Sequence, residues 1–181
     1  MQYTVKVGRT VTNAKHMERV KRKALENDFL SGCSQSVLGA IQEEFGIGNL
    51  DSFKAATVLS GGVARNGETC GAIIGALLAL GLVIGRERME DYAAYQGATK
   101  IANEVRGKFM KELKNQFDFR GELESTLCRH IQEKIYGRSF NLADDRERQA
   151  FLDAGGHSEA GCPKVCGIAA QVIAEKIMEL E

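Results

Sequence analysis

Five cysteines, Cys33, Cys70, Cys128, Cys162 and Cys166, are the residues of this chain best suited to chemistry. Three stand where helices are expected to begin. Cys33 follows Ser31-Gly32 at the mouth of an amphipathic run. Cys70 follows a glycine-rich loop ending Gly67-Glu68-Thr69. Cys162 precedes Pro163, and proline is favoured in the first helical turn. A helix start presents free N–H groups and about half a positive charge. That field favours a thiolate, the form that ligates metals, attacks disulfides and is oxidised. A single cysteine reads best as a small buried apolar residue. Three at helix starts favour redox or metal chemistry.

Cys162 and Cys166 are four residues apart, on one helix face and within reach of one metal or cluster if both are helical. There is no Cys-x-x-Cys pair, which argues against a zinc ribbon. The absence of Cys-x-x-Cys-His excludes covalent c-type haem. Ferredoxin spacings are also missing, so an iron–sulfur centre would draw its ligands from separated helices. Among the histidines, His16 falls in a basic, solvated helix, and His130 lies off the face of Cys128. His157, in a glycine loop before Cys162, reads as a surface histidine, with help to a thiolate or a metal as the alternative. No Gly-x-Ser-x-Gly elbow and no Walker or Rossmann loop is present. A hydrolase or transferase therefore finds little support. Gly61-Gly62 with Gly67 and Arg65 leaves a weak case for an anion-binding nest at a helix start.

Helices must position these thiols. Ala14–Leu30 carries Met17, Val20, Ala24 and Leu25 at helical spacing. Ser31 is the expected N-cap of the next helix, in which Cys33, Val37, Ile41 and Phe45 recur at steps of four and Gly46 and Gly48 form the stop. A short helix follows over Leu50–Leu59. Cys70–Gly85 is the most apolar run. Cys70, Ile74, Leu77 and Gly81 share a face, and Gly71, Gly75 and Gly85 with Ala72 and Ala76 make small surfaces for close backbone approach. Each helical glycine costs about 1 kcal/mol against alanine, so a tight contact is expected to offset it at Gly71 and Gly75. Arg86–Phe117 reads as one long helix, Glu122–Tyr136 as another with Cys128 mid-helix, and Pro163–Glu179 as the last. Cys70 is accordingly expected to be more acidic than Cys128, whose burial opposes ionisation.

No segment alternates convincingly between apolar and polar. The expectation is an all-α, single-domain helical bundle with a buried glycine/alanine-rich central helix. Residues 1–30 read as an N-terminal helical extension and 31–181 as one compact cysteine-containing unit. The chain has 181 residues, 44% hydrophobic, with 24 basic and 24 acidic side chains. That balance gives no electrostatic case for nucleic acid or an anionic membrane. Met1–Gly8 lacks the apolar core of a signal peptide. Cys70–Gly85 as a helix spans about 24 Å, short of the roughly 30 Å hydrocarbon core, so no membrane insertion is expected. The reading is a cytoplasmic protein with free thiols rather than a disulfide framework. It names no redox partner and leaves room for a homodimer.

Two stretches carry a family resemblance: Gly32-Cys33-Ser34-Gln35-Ser36-Val37-Leu38, and Gly61 through Ala76, which contains Cys70-Gly71-Ala72 and then Gly75. Over about Ser31–Ala174 the chain resembles the redox-active proteins named for a Cys, Gly-Cys-Ala-x-x-Gly, Cys, Cys pattern. The resemblance implies four shared cysteines, and a similar domain accompanies haem chemistry in split-Soret cytochromes; the haem part is absent here. Cys33, Cys70 and Cys128 match in order. The last place falls to Cys162 or Cys166, and Cys162 is favoured because Val165 and Ala169-Ala170 then take the family's apolar and alanine positions. The resemblance implies a redox-active protein in which Cys33, Cys70, Cys128 and Cys162, with Cys166 as an additional cofactor-binding candidate, hold an iron–sulfur or other metal centre. The same thiols could instead cycle between dithiol and disulfide. The alternative is a structural or partner-binding domain with buried or zinc-bound cysteines.

Overall fold

A computed structural model describes residues 8–180 of the chain. The stretch Met1–Gly8 read above lies, apart from Gly8, outside them. The described residues form eight α-helices and no strand. These are α1 Gly8–Asp28, α2 Cys33–Phe45, α3 Leu50–Ala55, α4 Gly71–Ile84, α5 Tyr92–Phe117, α6 Cys128–Tyr136, α7 Asp145–Asp153 and α8 Cys162–Leu180. A single 3-10 turn, Thr57–Leu59, follows α3. The expected all-α bundle is the observed one. No helix among the described residues is long and apolar enough to cross a membrane.

The core lies where α1, α2, α4 and α8 meet, with α5 closing one side. Its apolar stripes come from helical spacing: Val20 and Ala24 of α1, Val37 and Ile41 of α2, Ile73 and Ala76 of α4, Ile168 and Ile173 of α8. On α5 the inward stripe is Val105, Phe109 and Leu113. A smaller apolar cluster of Phe140, Leu142 and Phe151 packs against Tyr136 and Cys162. α4 is buried as expected, and its glycines explain how it fits. A Cβ on Gly75 would collide with the Ser34 carbonyl oxygen and lie 3.0 Å from Val37 Cβ. A Cβ on Gly71 would collide with Cys33 Sγ. The two glycines let the α2 and α4 backbones touch.

α1 begins at Gly8 rather than Ala14, and three further helix starts differ from expectation. Ser31 does not cap α2: the cap is Gly32, left-handed at φ 109° and without a side-chain cap bond. α5 begins at Tyr92 rather than Arg86, because Asp91 accepts a hydrogen bond from the Ala94 N–H and sets the N-cap there. α6 begins at Cys128 rather than Glu122. Its start is set from afar, by a short antiparallel bridge between Thr69 and Leu127. Cys70 N–H donates to the Thr126 carbonyl at 2.8 Å, and Cys128 N–H donates to the Glu68 carbonyl at 2.6 Å.

Candidate functional site

That bridge sets Cys70 and Cys128 on neighbouring strands of chain, one as the N-cap of α4 and one as the first residue of α6. Cys33 opens α2 and Cys162 opens α8. Four of the five cysteines therefore stand at helix starts, and Cys128 corrects its expected mid-helix position. Cys166 lies one turn into α8, fully buried, with its Sγ 3.9 Å from the Cys33 carbonyl oxygen. All five line a single cavity of about 820 Å³. Cys70 and Cys128 are buried and Cys33 and Cys162 half-buried, and none is in a disulfide.

The loop over the cavity is strained. Gly61, Gly62, Val63, Ala64 and Arg65 all have positive φ, a run in the left-handed helical region. Non-glycine residues there cost roughly 1–2 kcal/mol each. Backbone bonds hold the turn: Ala64 N–H to Val58 O at 2.8 Å, Arg65 N–H to Ser60 O at 3.1 Å and Gly67 N–H to Gly61 O at 3.1 Å. A side chain at Gly62 would strike Cys128 Cβ at 2.7 Å. The turn thus presses bare backbone onto one cysteine, while Gly61 and Ser60 lie where their polar groups favour the Cys33 thiolate. Arg65 and Ser60 line the same cavity.

Burial decides the electrostatics. It pushes the Cys33 thiol up to about 12, with the neighbouring Cys70 and Asp28 adding to the rise. Cys70 rises to about 11: burial outweighs the N–H groups of Ala72 and Ile73, which pull the other way. Cys128, Cys162 and Cys166 are also held well above the ordinary thiol range, first by burial. The helix-start field exists at Cys70, but desolvation exceeds it. The expectation that helix starts make these thiols acidic is therefore corrected, and the contrast drawn between Cys70 and a mid-helix Cys128 loses its premise. Donors do reach two sulfurs: Gln132 Nε2 lies 3.7 Å from Cys128 Sγ, and the Tyr136 hydroxyl 3.6 Å from Cys162 Sγ.

His157 is not the surface histidine expected. Its ring packs edge-on against Phe151, and Nδ1 lies 3.5 Å from Oδ2 of Asp28, which is only 1% exposed. Asp28 was not anticipated, since a carboxylate at the end of a charged helix carries no signal in the sequence. Both residues line the cavity. His130 instead meets Ser125 at 2.9 Å, and His16 approaches Glu44 at the surface.

Thiolates are the soft donors that iron–sulfur clusters take, and the cavity has room for a group larger than an ion. For a lone ion the fit is poor: among the described residues no three His, Cys, Asp or Glu groups converge closely enough to hold one. An all-α bundle with five cysteines around one cavity defines a thiol-centred site. A family model described as "Putative redox-active protein (C_GCAxxG_C_C)" matches residues 31–176, and the chain belongs to that family. No curated protein and no solved structure matches the chain.

Proposed function

We propose that the chain is an electron-transfer protein whose cavity holds an iron–sulfur centre on Cys33, Cys70, Cys128 and Cys162, with Cys166 behind them as a further thiol. The observation that carries this reading is the convergence of all five cysteines, drawn from three helices and one helix cap, on one cavity. A bound cluster would supply one-electron chemistry at potentials tuned by burial and hydrogen bonding. The chain's own residues would do the rest. Gln132 Nε2 and the Tyr136 hydroxyl are placed to donate to sulfur, which disperses negative charge there. The core helices and the left-handed turn bury Cys70, Cys128 and Cys166 and leave Cys33 and Cys162 half-buried. Neutral buried thiols are poor nucleophiles for disulfide exchange, which needs the thiolate. A positive centre arriving in the cavity would itself draw off their protons.

Dithiol–disulfide cycling is the second reading. It is favoured by Cys33 Sγ resting against the first turn of α4, next to the Cys70 cap.

The test is iron and acid-labile sulfide analysis of protein purified without oxygen, with Cys70→Ser and Cys128→Ser beside it. Iron, sulfide and visible absorption in the parent, lost in both variants, support the cluster. A colourless protein with stoichiometric zinc supports a structural role. A colourless, metal-free protein that titrates reversibly with a dithiol reductant supports cycling.

A further inference from the structure

No residue from 81 to 104 is buried, although that stretch takes in the whole first half of α5. The inward stripe of α5, Val105, Phe109 and Leu113, lies in its second half. The first half does not read as a solvated surface. Tyr92-Ala93-Ala94-Tyr95-Gln96-Gly97-Ala98-Thr99 carries no charge, in a chain that is 27% charged. Met89, Tyr92 and Tyr95 are 73%, 62% and 45% exposed. These side chains are held in place. Arg86 stacks over the Tyr95 ring at 4.7 Å and donates to the Met89 carbonyl at 3.0 Å, and the Tyr92 and Tyr95 rings lie 5.9 Å apart. Exposed Tyr, Met and Arg with few charges among them is the composition of an interface core. Side chains already ordered lose little entropy on docking.

The charges stand at the two ends of the uncharged stretch. Glu90 and Asp91 precede it and Lys100 follows it, all of them exposed. Asp91 and Lys100 are about 14 Å apart along the helix. Arg86 and Arg88 balance Glu87 and Glu90 in the turn before α5, and Glu104 beyond is paired with Lys176. A strongly charged partner or an anionic membrane gains nothing from so balanced a rim. A copy of the same face does. In a two-fold contact one patch serves both sides, and residue i meets j where j meets i. Laid antiparallel, the acidic end meets the basic end twice.

We propose that this face is the interface between two copies of the chain, with the α5 helices antiparallel and the two-fold axis between Tyr95 and Gln96. That register sets the Asp91 end of each helix against Lys100 of the other and closes Met89, Tyr92 and Tyr95 from water. A closed two-fold contact uses the face once in each copy and leaves no free end for a filament. No residue from 81 to 104 lines the cysteine cavity, so the dimer holds or fails independently of any centre bound there.

Sedimentation equilibrium of full-length, reduced protein between about 1 and 100 µM, a range that brackets a micromolar complex, reads the mass directly. The parent should approach twice the chain mass of 19.8 kDa. Gly97→Glu is the sharpest variant. A Cβ at Gly97 meets nothing within 4 Å in the single chain, and glutamate is the better helix former, so the variant should keep the parent's circular dichroism. At the interface it sets a carboxylate against its own copy, and the dissociation constant should rise about tenfold or more. Lys100→Glu should weaken the dimer by about fivefold, and added salt should shrink that difference. Glu90→Lys combined with Lys100→Glu should recover most of the loss. A parent that keeps the single-chain mass at the highest concentration overturns the proposal, and flotation of that monomer with phosphatidylcholine vesicles would assign the face to a membrane instead. A Gly97→Glu protein that dimerises as tightly as the parent overturns it too. So does a double variant no tighter than Lys100→Glu alone.

Discussion

The two ends of α4 are written in similar residues and built in opposite ways. At the N-terminal end, Cys70 caps the helix, and Gly71 and Gly75 are pressed against Cys33 and the Ser34 carbonyl. At the C-terminal end, Gly81 faces open space, and Leu82 and Val83 are 41% and 39% exposed. Glycine at the first end is a requirement of backbone contact. At the second it is only a loss of helix propensity. The close-packed end is also the end that holds the thiols. Rigid backbone contact there leaves the sulfurs few alternatives and keeps water out, which is what lifts their pKa values.

The largest expected consequence is in the pH dependence of stability. Unfolded thiols ionise near about pH 8.5, whereas Cys70 and Cys33 in the fold ionise near 11 and 12. A folded pKa above the unfolded one gives stability that is whole below the unfolded value and is lost as pH rises through the folded one. Reduced protein should therefore melt at falling temperature from about pH 8.5 to 12. Hydrogen exchange should quicken at the Cys70 end of α4 before the Val83 end. Cys166→Ala, with one buried thiol fewer, should lose less. A melting temperature flat to pH 11 would mean that water already reaches the sulfurs.

Gly75→Leu comes next. It drives a side chain into the α2 backbone, and overpacking costs roughly 1–3 kcal/mol or more. Thermal melting should show a drop of several degrees, with slower iodoacetamide discrimination between buried and half-buried cysteines. A variant that melts like the parent would remove the close-contact account of this helix end.

The smallest effect carries the opposite sign. Gly81→Ala fills open space on an exposed helix surface and should raise stability by up to about 1 kcal/mol. Calorimetry on the two glycine variants side by side makes the comparison quantitative; a Gly81→Ala protein less stable than the parent would show that this end is occupied after all.

Helix identity was legible because it is local. Stripes such as Cys33, Val37 and Ile41, or Val105, Phe109 and Leu113, repeat at the helical period whatever surrounds them, and the all-α fold follows from them. Ends marked by local signals were legible too, such as Gly46 after α2 and Cys70 before α4. The start of α6 was not, because its cause is the pairing of residues 68–70 with 126–128. That contact spans more than fifty residues of chain, and no local pattern encodes it.

By itself the sequence determined which residues could do chemistry, the helices that carry them and the family they belong to. Tertiary structure alone decided that five cysteines spread from Cys33 to Cys166 share one cavity, and that Asp28 and His157 join them. It also raised the Cys70 thiol where the field of a helix start alone would lower it. The field of a helix start can be read from a cap and a few residues, but desolvation depends on every atom that excludes water, and that is known only once the bundle has closed.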